Sequence, residues 1–124
     1  MSRRSAEARG RQAELVVARA LEADGWDIIA ERYKAPRSQK SGEIDLIVEK
    51  GDLLRFIEVK ARTDAARAAE ALEAIARTGG ARHMAAAEAF LAERPDIQSL
   101  DCRFDVVVVY PDDTLEWVEN VFSG

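Results

Sequence analysis

The apolar positions along the chain follow two periodicities, one helical and one extended. Near the N-terminus, apolar residues recur roughly every three or four positions along a stripe that ends at Gly25, which favours a helix. Two further helical segments are rich in alanine, and Gly79-Gly80 separates them. The predicted helices cover residues 6–24, 64–77 and about 81–94.

Extended segments alternate with these helices. The run Val106–Val109 is continuously apolar, which suits a strand that is covered on both faces. The predicted strands cover residues 26–32, 43–49, 53–61, 102–110 and 115–121. The order α-β-β-β-α-α-β-β predicts an α/β sandwich around a mixed β-sheet. The length of 124 residues fits one domain over residues 1–124, with residues 1–5 as a loose tail.

The second and third predicted strands form a hairpin, GEIDLIVEKGDLLRFIEVKAR, that carries candidate chemistry. If Gly51-Asp52 is a two-residue turn, paired residue numbers sum to 103. Asp45 then lies opposite Glu58, and Glu43 lies opposite Lys60. Side chains alternate along a strand, so these four share one face. The other face is apolar and carries Ile44, Leu46, Val48, Ile57, Val59 and Ala61.

Opposed carboxylates at Asp45 and Glu58 predict either that one of them is protonated or that a cation lies between them. Cβ atoms of such a pair lie about 4.5–5.5 Å apart, where like charges destabilise a sheet. A hard divalent cation such as Mg²⁺ is held by carboxylates, waters and substrate phosphate, and it can activate a water. Lys60 would project beside the same site, where its ammonium could contact phosphate. The alternative is a solvent-exposed face with Glu–Lys pairs, which the position of these strands between helices disfavours.

These residues resemble the active-site signature of the PD-(D/E)xK nuclease superfamily, whose fold is the restriction-endonuclease-like α/β/α sandwich with a central mixed β-sheet. Asp45 matches the first acid and Glu58-Val59-Lys60 matches the E-x-K element, while Ile44 replaces the usual proline. More narrowly, nearly the whole chain is similar to bacterial YraN-like proteins, which are themselves similar to archaeal Holliday junction resolvases. That similarity rests on Gly10 with Glu14, GEIDLI from Gly42, FIEVK from Phe56, RFDVV from Arg103 and WVENVF from Trp117.

The resemblance implies a metal-dependent endonuclease acting on DNA, with branched DNA as one candidate substrate and Mg²⁺ or Mn²⁺ as the cofactor. It implies metal ligands at Asp45, Glu58 and the main-chain carbonyl of Val59, a catalytic lysine at Lys60 and a first-helix acid at Glu14. Glu14 has an alternative interpretation as an acid near the helix N-terminus that the helix dipole favours. Since a junction needs two cuts, a homodimer is one candidate state.

Charge is unevenly distributed around the net value of −5. Residues 1–82 carry 16 lysines and arginines against 14 acids, whereas residues 83–124 carry 2 against 9. A local basic face can bind phosphate on an acidic protein, although such residues also occur as solvated surface. The candidate nucleic-acid contacts are Arg32, Lys34, Arg37, Lys40 and Arg62, together with the arginines of the basic N-terminal tail.

Two other function classes stay open. YraN-like proteins usually carry polar residues where this chain has Gly79-Gly80, which favours a non-catalytic nucleic-acid-binding or adaptor module on a nuclease fold. The acidic C-terminal third could instead be a protein-contact surface. His83 is expected on a helix surface, and Arg103 and Asp105 are expected to form an ion pair.

The remaining sequence features limit the cellular setting. Cys102 is the single cysteine, which excludes an internal disulfide and a cysteine-cluster zinc site. No apolar run approaches the roughly 20 residues that a membrane helix needs. The polar N-terminal sequence has no apolar segment typical of a secretory signal, so we expect a cytoplasmic location and no membrane partner.

Overall fold

A five-stranded mixed sheet between helices forms the framework of the protein. The computed structural model describes residues 3–36, 42–78, 80–97 and 100–122. Its helices are α1 (Arg3–Ala23), α2 (Ala65–Thr78) and α3 (Ala81–Glu93), with a 3₁₀ turn at Pro95–Ile97. Its strands are β1 (Asp27–Tyr33), β2 (Ile44–Lys50), β3 (Leu53–Ala61), β4 (Asp101–Val109) and β5 (Leu115–Val118).

The predicted element order is confirmed, and the differences lie at the element ends. Helix α1 begins at Arg3, where the prediction began at residue 6, and β5 ends at Val118, where the prediction ended at 121. Val121 lies three residues after the end of this strand, and its N–H donates to the carbonyl of Phe104 over 2.8 Å. No helix in the described ranges is both long enough and apolar enough to span a membrane.

The strands lie in the order β1-β2-β3-β4-β5, and β3 and β4 are parallel while the other neighbours are antiparallel. Helices α2 and α3 form the connection between the two parallel strands. One core packs α1 against the sheet, and a second core packs α3 against residues of the opposite face. The predicted α/β/α sandwich with a central mixed sheet is confirmed, and it is consistent with the restriction-endonuclease-like fold.

The predicted hairpin register is confirmed where β2 and β3 pair. Lys50 lies opposite Leu53 and Leu46 lies opposite Ile57, which is the last pair. Gly51 takes the positive φ of 59° that the tight turn requires. Beyond Leu46 the expected alternation is wrong for Ile44, which packs in the α3 core although Leu46 packs against α1. Without pairing to β3, the first residues of β2 do not keep the alternation of the hairpin.

The backbone at the start of α3 is in close contact with two other segments of the chain. Gly42 N–H donates to the carbonyl of Arg82 over 2.9 Å. Gly80 has a φ of 68°, and a Cβ atom there would lie 2.4 Å from the Phe122 ring. Gly80 is therefore required by the packing of Phe122, while Gly79 lies outside the described residues. YraN-like proteins usually have polar residues at the positions of Gly79-Gly80, and packing against Phe122 explains why position 80 is a glycine in this chain.

The expected Arg103–Asp105 ion pair is wrong. The buried Asp105 carboxylate lies 3.3 Å from Arg55 Nε and accepts a 2.8 Å hydrogen bond from the N–H of Asn120, whereas Arg103 is exposed. Arg55 and Arg103 lie opposite each other on β3 and β4. The exposed Arg103 makes no ion pair with Asp105, whereas the side chain of Arg55, only 15% exposed, reaches the carboxylate. The hydrogen bond from Asn120 ties the segment after β5 to the sheet.

Candidate functional site

The carboxylate of Asp45 occupies the place where β2 separates from β3. Asp45 is only 9% exposed. Its Oδ2 accepts a 2.8 Å hydrogen bond from the backbone N–H of Val59 on β3. The end of strand pairing thus leaves a backbone donor that the side chain of Asp45 satisfies, and this contact holds the carboxylate at the edge of the hairpin.

Three carboxylates converge at this point. Glu14 from α1, Glu43 from the segment before β2, and Asp45 each offer an oxygen, and these oxygens lie within 4.8 Å of one another. Glu14 and Asp45 also line an open cleft of about 440 Å³. Carboxylate oxygens are the ligands that hard divalent cations prefer. This acidic cluster of Glu14, Glu43 and Asp45 could therefore hold a metal ion.

Burial and negative charge make Asp45 hard to ionise when no cation is bound. Burial raises the pKa of Asp45, the charges of Glu58, Glu14 and Glu43 raise it further, and the pKa reaches about 8. The hydrogen bond from Val59 opposes this rise. A divalent cation would supply the missing positive charge and favour the ionised carboxylate. The donor set and its electrostatics thus fit a hard metal ion.

Arg32 is bound to the acidic cluster. Its Nε and Nη2 lie 3.0 and 2.9 Å from the same oxygen of Glu14, and the Arg32 side chain remains 45% exposed. Arg32 also has a φ of 48°, a backbone conformation that is unfavourable for a residue with a side chain. The sequence placed Arg32 among nucleic-acid contacts, whereas in the structure its guanidinium partly neutralises Glu14.

Glu58 lies beside the acidic cluster and is in contact with two other side chains, Lys60 and His83. Lys60 Nζ lies 3.1 Å from Glu58 Oε1, and His83 Nε2 lies 2.9 Å from Glu58 Oε2. Burial alone would raise the pKa of Glu58, but His83 and Lys60 outweigh it and bring the pKa below its usual value. Because Glu58 also raises the pKa of Asp45, the two groups are electrostatically coupled.

His83 is the site residue that the sequence analysis placed wrongly. It was expected on a helix surface, but it contacts Glu58 across the gap between α3 and β3. Helical spacing could have indicated the buried side of the helix for His83. The residue lies on the same stripe of α3 as the buried residues Ala86, Ala87 and Phe90. That stripe faces the sheet.

The other predicted residues are distributed as follows. Among the described residues, the three-carboxylate cluster does not include Glu58, which faces Lys60 and His83. Lys34 is exposed just after β1, and Arg62 lines a second cleft at the end of β3. Arg37 and Lys40 lie outside the described residues.

The fold and the site together define a restriction-endonuclease-like α/β protein with an acidic cluster that could bind a metal. The chain belongs to the uncharacterised protein family UPF0102, whose model matches residues 13–109. This confirms the expected membership among the YraN-like proteins. The matched range contains Glu14, Asp45, Glu58 and Lys60.

Relatives from several bacteria are similar to this chain over most of their length. The UPF0102 protein of Chelativorans sp. (strain BNC1) is 40% identical over 124 residues, which cover 100% of this chain and 94% of the relative. The UPF0102 protein of Ruegeria pomeroyi is 46% identical over 114 residues, which cover 92% and 87%. The UPF0102 protein of Mesorhizobium japonicum is 42% identical over 123 residues, which cover 99% and 93%.

Proposed function

We propose that the protein is a metal-dependent endonuclease of the PD-(D/E)xK superfamily that hydrolyses phosphodiester bonds in DNA. The observation that carries this proposal is the buried Asp45 carboxylate, held within an acidic cluster and next to the Glu58–Lys60 pair. A metal site beside a lysine suits a reaction in which negative charge develops on phosphate.

The acidic residues have the role of binding the cation. Glu14, Glu43 and Asp45 would hold Mg²⁺ or Mn²⁺, with Glu58 and the carbonyl of Val59 as the further ligands implied by the E-x-K element. Bound there, the ion would supply a Lewis acid and a water of lowered pKa. The hydrogen bond from Val59 N–H fixes the orientation of Asp45, so the carboxylate is preorganised for binding.

Lys60 would act on the scissile phosphate. Its side chain is 29% exposed, and its ammonium lies 3.1 Å from Oε1 of Glu58, whose charge acts on Asp45 of the acidic cluster. From this position it would orient the attacking water and stabilise the charge on the pentavalent phosphorus. His83 holds the other oxygen of Glu58 and so limits the rotation of that carboxylate.

The substrate we propose is DNA, with four-way junctions as the branched form to test first. A junction needs two symmetric cuts, which a homodimer would supply. The test is a cleavage assay on linear, flapped and four-way-junction DNA with Mg²⁺ or Mn²⁺. We expect cleavage by the wild type and a loss of about 10²-fold or more in Asp45→Asn and Lys60→Ala.

The matched control is Glu73→Gln, which removes one carboxylate from the exposed surface of α2 and should cleave like the wild type. Absence of cleavage by the purified wild type on all three substrates would refute the proposal of an active nuclease. Cleavage by Lys60→Ala at the wild-type rate would remove only the role of that lysine.

A second candidate is a nucleic-acid-binding module without turnover. It is favoured by the ion pairs of the site, because Arg32 binds Glu14 while Lys60 and His83 both bind Glu58. In such a module these contacts would be permanent structural pairs. Salt-sensitive DNA binding without metal-dependent cleavage would identify it.

A further inference from the structure

A second cleft, of about 280 Å³, lies at the carboxyl ends of β3 and β4. These strands are the parallel pair of the described sheet, and ligands of open α/β sheets bind outside the carboxyl ends of such strands. Helix α1 closes the cleft from one side with Arg9 and Gln12. We call this feature the arginine cleft, and its polar and aromatic lining is formed by Arg9, Gln12, Arg62, Thr63, Tyr110 and Asp113.

The charged side chains of the arginine cleft are complementary to an anion. Arg9 and Arg62 approach from different elements, and Asp113 is the one acid among its lining residues. The backbone N–H of Arg62 donates to the carbonyl of Val109 over 3.0 Å, and its Nη1 donates to the carbonyl of Ala61 over 2.6 Å. The Arg62 guanidinium is therefore partly fixed before a ligand binds, which suits recognition of a phosphate.

The remaining surface of the arginine cleft suits a nucleobase. Tyr110 and Pro111 line it beside the apolar side chains of Ala13 and Val109. The Tyr110 hydroxyl donates to Glu116 Oε1 over 2.6 Å, which holds the ring in place. A positioned aromatic ring next to arginines is the combination that binds single-stranded nucleic acid, because every base can stack on it.

The arginine cleft is also close to the proposed reaction centre along two elements. Arg62 follows Lys60 by two residues, or about 7 Å of extended chain. Arg9 precedes Glu14 by five residues of helix α1, or roughly 7 Å along its axis. Helix α1 thus supplies a residue to the acidic cluster and residues to the cleft, while β3 and the residue after it supply Lys60 to the proposed reaction centre and Arg62 to the cleft. One strand of nucleic acid would span separations of this size.

We propose that the arginine cleft binds the nucleotide next to the scissile phosphate, with Arg9 and Arg62 on its phosphate and Tyr110 against its base. This proposal rests on the proposed function for its substrate class, but it does not require turnover. It assigns the single-stranded or unpaired part of a branched DNA as the segment that enters the cleft.

The test measures binding without cleavage. A fluorescently labelled single-stranded oligonucleotide is titrated with protein in EDTA at low salt, and its anisotropy gives the Kd. We expect Arg9→Ala, Arg62→Ala and Tyr110→Leu each to weaken binding by about 5- to 30-fold. The control Arg67→Ala removes an exposed arginine of α2 that pairs with Glu70, and it should bind like the wild type.

Two further measurements separate a binding role from a structural one. Arg62→Lys keeps the charge but loses the planar fork, so it should recover only part of the affinity. Thymidine 5′-monophosphate should shift the backbone amide NMR signals of Arg62 and Tyr110 in the wild type. In the double variant Arg9→Ala/Arg62→Ala, the amide signals at positions 62 and 110 should not shift. Thermal unfolding of each variant verifies that it is folded.

The outcomes distinguish this inference from the proposed nuclease activity. Wild-type affinity in all three variants would overturn the cleft assignment while leaving the proposed function in place. Weakened binding in the variants of a protein that does not cleave DNA would support the cleft and refute catalysis. Failure of the wild type to bind either probe would overturn the cleft together with the nucleic-acid partner.

Discussion

Asp45 is surrounded by other carboxylates, and burial is the largest reason that its pKa is raised to about 8. The folded protein without metal therefore binds a proton that the unfolded chain releases near pH 4. A raised pKa contributes stability that is complete below pH 4 and is lost as the pH rises through about 8. At neutral pH, a bound cation would replace that proton.

We predict that Asp45→Asn removes part of the pH dependence of folding. The amide is neutral and can still accept the hydrogen bond from Val59. In EDTA, the free energy of unfolding of the wild type should fall between pH 5 and pH 8 by on the order of a few kcal/mol more than that of the variant. Urea unfolding at both pH values measures this difference.

The control for this measurement is Glu73→Gln on the surface of α2, which should behave like the wild type. Adding Mn²⁺ at pH 8 should stabilise the wild type more than Asp45→Asn, because the variant keeps only two of the three proposed carboxylate ligands. Equal pH dependence in the wild type and in Asp45→Asn would show that Asp45 ionises normally.

Arg32 would compete with a cation for the acidic cluster, because it already pairs with Glu14. Its two contacts with Glu14 place a positive charge about 3 Å from one proposed ligand oxygen. Removal of that charge should strengthen metal binding, by roughly tenfold if a distance of about 5 Å in a water-like dielectric separates the two cations. We predict that Arg32→Gln binds Mn²⁺ more tightly than the wild type, as isothermal titration calorimetry would measure.

The matched control is Arg19→Gln, since Arg19 is an exposed arginine on the same helix as Glu14. It should leave the Mn²⁺ affinity unchanged. If Arg32→Gln binds Mn²⁺ more weakly, Arg32 holds Glu14 in the binding position and the competition argument is wrong.

Among the elements, the periodicity of apolar residues was sufficient to predict the helices and strands, and the Gly51-Asp52 turn was sufficient to predict the register where β2 and β3 pair. The predicted alternation failed where pairing ended. Ile44 was predicted to follow the alternation of the hairpin, but it packs in the α3 core. The separation of β2 from β3 depends on the contact of Asp45 with Val59, which is a tertiary arrangement and leaves no periodic signal.

Side chains brought together from distant elements were also hard to predict. His83 and Glu58 are 25 residues apart and meet because α3 packs against the sheet. Their contact depends on helix orientation, which one sequence does not specify. By contrast, Glu58 and Lys60 could be grouped from the sequence because they lie two residues apart on one strand, and they are in contact. The predicted pairing of Asp45 with Glu58 does not form, because strand pairing ends at Leu46 and Ile57. Asp45 instead joins Glu14 and Glu43.

Gly80 lies at the start of α3, where Phe122 from the segment after β5 packs against it. Substitutions at Gly80 therefore measure the importance of this contact. Gly80 and Gly51 both have positive φ, but a Cβ would collide with the Phe122 ring only at Gly80, since nothing lies within 4 Å at Gly51. We predict that Gly80→Ala lowers the free energy of unfolding by about 1–3 kcal/mol more than Gly51→Ala. Chemical denaturation of the two variants gives the comparison.

A double variant identifies the cause of this difference. Combined with Phe122→Ala, the Gly80→Ala substitution should cost about as much as Gly51→Ala, because the colliding ring is absent. An unchanged cost in the double variant would assign the effect to the backbone of Gly80 instead of to the contact with Phe122.

At the scale of the whole molecule, the net charge of −5 conceals a separation of charge along the chain. Residues 83–124 hold 9 acids against 2 basic residues, while the arginines of the cleft come from α1 and the end of β3. Long-range attraction for nucleic acid is therefore weak, and the proposed binding would depend on a few local contacts. Such binding should be lost at moderate salt.

We predict that the logarithm of the DNA-binding constant falls linearly with the logarithm of salt concentration, with a slope of about −1.4 from the two arginine contacts of the cleft. Each phosphate contact to single-stranded nucleic acid contributes about −0.7 to this slope. Arg9→Ala and Arg62→Ala should each make it shallower by about that amount, whereas Arg67→Ala should not change it. Anisotropy titrations between 20 and 200 mM salt measure the slopes. Equal slopes in all four proteins would show that neither cleft arginine contacts phosphate, whatever their effect on affinity.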